Sequence, residues 1–176
     1  AARSEQRHVK RVALARGDLA VLELEAPFGS ALSRPILRAT VPEECAVGAT
    51  CHVVRYLGVT PQLFTEDVQL VEGEVCASRV SDWTSIHETA LCLEGPTLCS
   101  GDQGAGVVCD GKLCGVVSTS TRADTSLPIN GTSEDLDANP EANATDDTCG
   151  NTHAAQNLAR WQPFLHCAHT LRACGR

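Results

Sequence analysis

Cys99-Ser-Gly-Asp-Gln-Gly-Ala-Gly-Val-Val-Cys109 runs directly into Asp110-Gly111-Lys-Leu-Cys-Gly-Val-Val-Ser118, and the fold turns on this pair of segments. Each holds a short apolar run. Asp110-Gly111 between them is a strong hairpin signal, because both residues tolerate the positive φ that a tight two-residue turn needs. Working outward, Cys51-His-Val-Val-Arg-Tyr-Leu-Gly58 and Glu66–Cys76 repeat the pattern of short strands divided by turns. Leu19–Leu24 is an earlier apolar run, ended by Ala26-Pro27-Phe28-Gly29-Ser30, since proline and glycine punctuate strands. Residues 33–48 carry two prolines and no clear period, which suits a linker. Ser81–Cys92 has room for one helical turn. From Pro163 to about Ala173 a helix is expected, with proline tolerated in its first turn and Phe164, Leu165, Ala168 and Leu171 on one face. These elements predict an all-β body with a C-terminal α-helix.

A chain of 176 residues with 43% hydrophobic content can bury a substantial core, but its six aromatic residues make that core aliphatic. Ten cysteines spread from Cys45 to Cys174, without paired CxxC spacing, read as disulfides of an oxidising compartment rather than metal ligands or catalytic thiols. No apolar run reaches the ~18 residues that suggest a membrane span, so no membrane span is expected. The basic, polar opening AARSEQRHVKRVALARGD lacks the apolar stretch of a signal peptide, and a processed chain or fragment of a secreted protein is expected. The net charge of −8 argues against nucleic acid, whose phosphates would be repelled. Residues 121–148 hold seven acids against one base, a net of −6, and are rich in Thr, Ser, Asn and Asp. They read as a solvated acidic insertion containing both N-x-S/T sequons, at Asn130 and Asn143, which are expected to carry glycans.

Six stretches together resemble the chymotrypsin/trypsin-like serine proteases. Cys99–Cys109 is similar to that family's C-x-G-D-S-G-G-P-x-x-C, and Gly111–Ser118 to its G-x-L-x-G-I-V-S strand. Gly17-Asp-Leu-Ala-Val-Leu-Glu-Leu24 resembles N-D-I-A-L-L-K-L, and Ser33-Arg-Pro-Ile36 the V-R-P-I that follows. Cys51–Gly58 resembles the C-x-V-x-G-W-G that opens the second barrel, and Trp161-Gln-Pro-Phe-Leu165 the entry to the terminal helix. The resemblance covers roughly residues 10–170 in the family's order. It implies a chymotrypsin-like β-barrel: the end of the first barrel in residues 1–32, an interdomain linker in 33–50, the second barrel in 51–160, and the terminal helix and tail in 161–176. It also implies the disulfides Cys51–Cys109, Cys76–Cys92 and Cys99–Cys149. For Cys45 it suggests Cys167 or Cys174, while a bond to a missing amino-terminal portion stays open, and Cys114 has no implied partner.

Acyl transfer in this family needs a nucleophile, a base, an orienting acid and two N–H donors for the oxyanion. By the resemblance the nucleophile position is Gln103, and a carboxamide has no proton whose removal gives a useful attacking group. No histidine corresponds to the base, since His8 lies too near Asp18 and lacks the A-A-H-C context. Asp18 matches the orienting acid and is expected to be buried and kept for hydrogen bonding. Gly101 and Gln103 match the backbone donors of the oxyanion hole. Asp102 matches the acid that, in activated relatives, pairs with a newly freed amino terminus. Ala105 and Gly106 replace a glycine and a proline, so the local backbone is open to drift. Thr97 stands at the pocket base, Ser118, Thr119 and Ser120 match the strand that pairs with substrate, and His153 falls near a pocket wall. His166-Cys167-x-His169 reads as solvent-facing histidines beside a disulfide rather than a metal site, and no cofactor is implied. The resulting expectation is a secreted, non-catalytic serine protease homologue that acts by binding a protein, such as a protease or its substrate. An unusual serine-type endopeptidase and a structural or adhesive glycoprotein module are the alternatives.

Overall fold

The computed structural model describes residues 5–29, 34–57, 62–120 and 149–170. The acidic segment 121–148, with Asn130 and Asn143, lies outside these, as does Leu171. The strands are β1 (Val9–Leu14), β2 (Ala20–Leu24), β3 (Leu37–Arg38), β4 (Thr50–Leu57), β5 (Gln62–Val71), β6 (Ala90–Cys99), β7 (Gly106–Cys109), β8 (Lys112–Ser120) and β9 (Cys149–Asn157). Two short helices, α1 (Gly73–Ala77) and α2 (Trp83–Ile86), precede β6, and α3 (Gln162–His169) follows β9.

β4, β5, β6, β9, β8 and β7 pair antiparallel in that circular order, and β7 returns to β4. Closure removes the open edges that a sheet of six strands would otherwise present. Val53, Leu70, Leu93, Leu98, Val107 and Val117 fill the interior, each at most 2% exposed. Burial of side chains this size contributes about 1.5–3 kcal/mol apiece. β7 and β8 meet through Asp110 (φ 49°) and Gly111 (φ 75°), the left-handed pair that a tight hairpin turn requires.

β1 and β2 form a separate antiparallel ribbon. Its inner face reaches the barrel through Leu19 and Val21, which pack with Leu158, Val116 and Leu165 of α3. Trp161 and Phe164 join them edge to face, with ring centroids 6.2 Å apart. Leu165 and Ala168 are the buried residues of α3. That helix ends at His169, short of the expected Ala173.

At three places the structure adds to the sequence expectations or departs from them. Val9–Leu14 is a strand although its Lys10 and Arg11 hide the alternation, and pairing with β2 makes it one. Residues 73–76, expected to continue a strand, lie in α1, because Cys76 bonds to Cys92 and Val75 and Cys76 pack near Trp83. The linker is partly ordered: β3 lies parallel to β8, and Pro42–Cys45 form one 3-10 turn.

Disulfides join Cys51 to Cys109, Cys76 to Cys92 and Cys99 to Cys149. A fourth joins Cys45 to Cys114, not to Cys167 or Cys174. Parallel pairing of β3 with β8 brings the linker over the Cys114 strand, and Gln162 of α3 donates to the Ala39 carbonyl at 2.9 Å. Cys167 is disulfide-bonded as well.

Candidate active-site region

The loop 99–105 hangs between two fixed points. Cys99 is held by its disulfide to Cys149, and the Val117 N–H donates to the Ala105 carbonyl at 2.9 Å. Gly104 (φ 89°) makes the reversal, and its N–H donates to the Val117 carbonyl at 2.9 Å. Only glycine adopts that φ without a steric cost. The loop therefore stays pinned to β8 even with Ala105 and Gly106 in place of the family residues.

Ser100–Asp102 form a 3-10 turn, and the Gln103 N–H donates to the Ser100 carbonyl at 3.3 Å. This is one of the two backbone groups matched to the oxyanion hole, and here it is engaged within the chain. The Gln103 side chain is exposed beside a cleft of about 610 Å³ between the ribbon and the loop. Leu14, Asp18, Leu22, Gln103 and Gly104 are among its lining residues. A second cleft of about 370 Å³ is lined by Val54, Arg55 and residues 101–106. Among the described residues no histidine lines either cleft. His8 lies outside both, exposed just before β1.

Asp18, expected to be buried, is exposed, because it sits in the turn at the end of the ribbon. Its carboxylate still accepts a hydrogen bond of 2.7 Å from the Ser118 hydroxyl. Behind Ser118 the chain continues inward: Gln156 Nε2 donates to Ser118 Oγ at 3.3 Å, and Trp161 Nε1 donates to Gln156 Oε1 at 3.0 Å. Thus Asp18 ties the ribbon to the barrel wall.

Asp102 is 7% exposed, and a buried carboxylate needs compensating donors or a cation. Arg55 of β4 supplies both. Its Nε donates to Asp102 Oδ1 at 2.8 Å and its Nη2 to Oδ2 at 2.8 Å, the bidentate fork that makes Arg–carboxylate pairs strong. The Cys99 N–H adds a third donor at 2.8 Å. On the far side, Arg55 Nη1 reaches Glu66 of β5 at 2.6 Å. Hydrogen bonding to Asp102 is the largest influence on the guanidinium. Helped by Glu66 and opposed by desolvation, it pushes the Arg55 pKa above its ordinary value. Arg55 was not among the residues singled out by sequence, although it stands where the quoted C-x-V-x-G-W-G has glycine. That departure was the available signal.

Thr97 is exposed and donates through Oγ1 to Asn151 Oδ1 at 2.9 Å. His153 is fully buried in β9, opposite Leu93 of β6. Thr119 and Ser120 pair in β8 with Ala154 and His153 of β9. His166 and His169 are exposed, and no metal-ligating cluster occurs among the described residues. None of the helices described is long and apolar enough to cross a membrane.

The family model described as Trypsin matches residues 3–131. Bradykinin-releasing enzyme KR-E-1 of Gloydius ussuriensis is 31% identical over 84 residues, covering 42% of this chain and 36% of its own length. Kallikrein 1-related peptidase b11 of Mus musculus is 31% identical over 113 residues, covering 57% of this chain and 42% of its own. The match therefore spans about two-fifths of those relatives. Among solved structures, kallikrein-related peptidase 10 superposes with a TM-score of 0.67 at 16% identity, covering 96% of this chain and 75% of that one. The scabies mite inactivated protease paralogue S-I1 does so with a TM-score of 0.65 at 18% identity, covering 93% and 68%.

Proposed function

Because the chain belongs to the trypsin family, we propose that it is a non-catalytic member, secreted, that works by binding a protein rather than cleaving one. The observation that carries this reading is Gln103 at the nucleophile position. Its carboxamide has no proton whose removal gives a useful attacking group, and the backbone N–H of Gln103 already donates to the Ser100 carbonyl. Asp18, the matched orienting acid, is engaged by Ser118. A serine alone at position 103 would face no histidine among the residues lining the two clefts and would lack a free pair of N–H donors. The four disulfides between described residues and the sequons at Asn130 and Asn143 support an extracellular glycoprotein. Solved proteins of this fold include ones described as inactivated protease paralogues, so the fold has been kept elsewhere without the family's activity.

The test is in two parts. The purified chain and its Gln103→Ser variant are incubated with a fluorophosphonate probe and with peptide substrates, beside an active trypsin-family enzyme. Neither form is expected to label or turn over, and stoichiometric labelling or sustained hydrolysis by the unaltered chain would overturn the reading. Binding is then measured by surface plasmon resonance against secreted trypsin-family proteases and their protein substrates. Saturable binding is expected, and its absence across the panel would remove the regulatory half.

A further inference from the structure

Between its two pinned ends the loop 99–105 has one strong side-chain anchor, Asp102. Both of its oxygens are occupied by groups from a single residue, Arg55, which arises from β4 and is braced from behind by Glu66 of β5. Both strands lie within the barrel, so the cation is mounted on a rigid frame. The turn Ser100–Asp102 closes where the Asp102 carboxylate accepts from the Cys99 N–H, and that closure puts the Ser100 carbonyl onto the Gln103 N–H. One residue thus sets the backbone at the nucleophile position from behind.

We propose that Arg55 is a built-in positioning cation: by holding both oxygens of Asp102 it keeps the Ser100–Asp102 turn closed and the Gln103 N–H spent, with no cation needed from a cleaved amino terminus. The argument is geometric. A guanidinium fork fills the two carboxylate oxygens in parallel and leaves no equivalent place for an ammonium. The pair is mostly shielded, with Arg55 and Asp102 side chains 14% and 5% exposed, so water competes weakly for either partner. The loop conformation would then be constitutive, the same before and after any proteolytic processing of the chain. This inference rests on the non-catalytic reading, because it explains how the same site is held closed.

The readout is the amide of Gln103 rather than activity. Hydrogen exchange and ¹H–¹⁵N shifts of Cys99, Gln103, Val53 and Val107 are compared in the disulfide-intact chain and in Arg55→Ala, Arg55→Lys and Glu66→Gln. Arg55→Ala is expected to speed exchange at Cys99 and Gln103 by at least about tenfold while leaving the barrel amides Val53 and Val107 unmoved, a local rather than global opening. Added ethylguanidinium should slow those two amides again in Arg55→Ala and do nothing to the unaltered protein. Unchanged Cys99 and Gln103 amides, or failure of the small cation to act on a folded variant, would overturn the proposal. If Arg55→Ala does not fold, Arg55→Lys decides: a single ammonium cannot span both oxygens, so Gln103 must shift, and an unshifted Gln103 sinks the idea. Glu66→Gln, at a half-exposed position, should give the same changes more weakly. Hydrolysis by the unaltered chain would defeat the non-catalytic reading through a different measurement, so the two failures can be told apart.

Discussion

Removing Cys45 and Cys114 together, as Cys45→Ala with Cys114→Ala, should destabilise the protein by about 3 kcal/mol. The two cysteines are 69 residues apart, which on chain entropy alone corresponds to about 4 kcal/mol. However, Cys51–Cys109 lies nested inside that span. Once it has formed, the covalent path from Cys45 to Cys114 passes through Cys51 and Cys109 and is only roughly a dozen residues long, which lowers the gain to about 3 kcal/mol. Alanine is the replacement of choice because Cys45 and Cys114 are 6% and 0% exposed, where a serine hydroxyl would add its own burial cost. Urea titration should show a lower midpoint, and thermal unfolding a fall of about 6–12 °C for a chain of this size. The discriminating measurement repeats the substitution in a background already lacking Cys51–Cys109. There the loop is long again and the cost should rise towards about 4 kcal/mol. An equal or smaller cost in that background, or less than about 1 kcal/mol in the parent, would refute the nested-loop reasoning.

Two further outcomes can be checked on the same samples. Lys112, by its hydrogen bond, and then the Thr40 N–H hold the Glu44 carboxyl down to about 2 from its ordinary 4.5. A group depressed in the fold gives stability that is complete above pH 4.5 and lost as pH falls towards 2, because the unfolded chain takes up the proton first. Glu44→Gln should therefore flatten that part of the thermal midpoint against pH, and an unchanged slope would show that Glu44 does not contribute. Ser118→Ala removes the 2.7 Å bond to Asp18 and a partner of Gln156. As Asp18 is exposed and can rehydrate, the cost should sit near the low end for bonds to charged groups, about 1–1.5 kcal/mol by urea titration. A shift in Trp161 emission through Gln156 should accompany it, and unaltered stability and emission would disprove the link between ribbon and barrel.

The fold was legible in sequence where local chemistry decides it. Asp110-Gly111 adopts left-handed φ at both positions because of its residue types, and short apolar runs on either side can only pair as a hairpin. The order of the six matched stretches carried the barrel, and the trypsin family follows from it. Elements that depend on distant partners were less legible. Val9–Leu14 carries Lys10 and Arg11, which reach Glu23 across the ribbon, so its strand pattern emerges only once β2 lies beside it. Gly73–Ala77 turns helical because Cys76 is drawn to Cys92 beside Trp83.

By itself, the sequence determined that position 103 bears a carboxamide and that ten cysteines must be placed, since both are properties of residues taken singly. Only the tertiary structure decided that Cys45 meets Cys114, that Asp18 lies exposed while bonded to Ser118, and that Arg55 holds an acid 47 residues away. Those outcomes depend on strand register. A slip of one residue in β4 against β5 or β7 would turn Arg55 to the opposite face and leave Asp102 buried without its cation. Register is set by closure of the whole barrel, and no local window of the chain contains it.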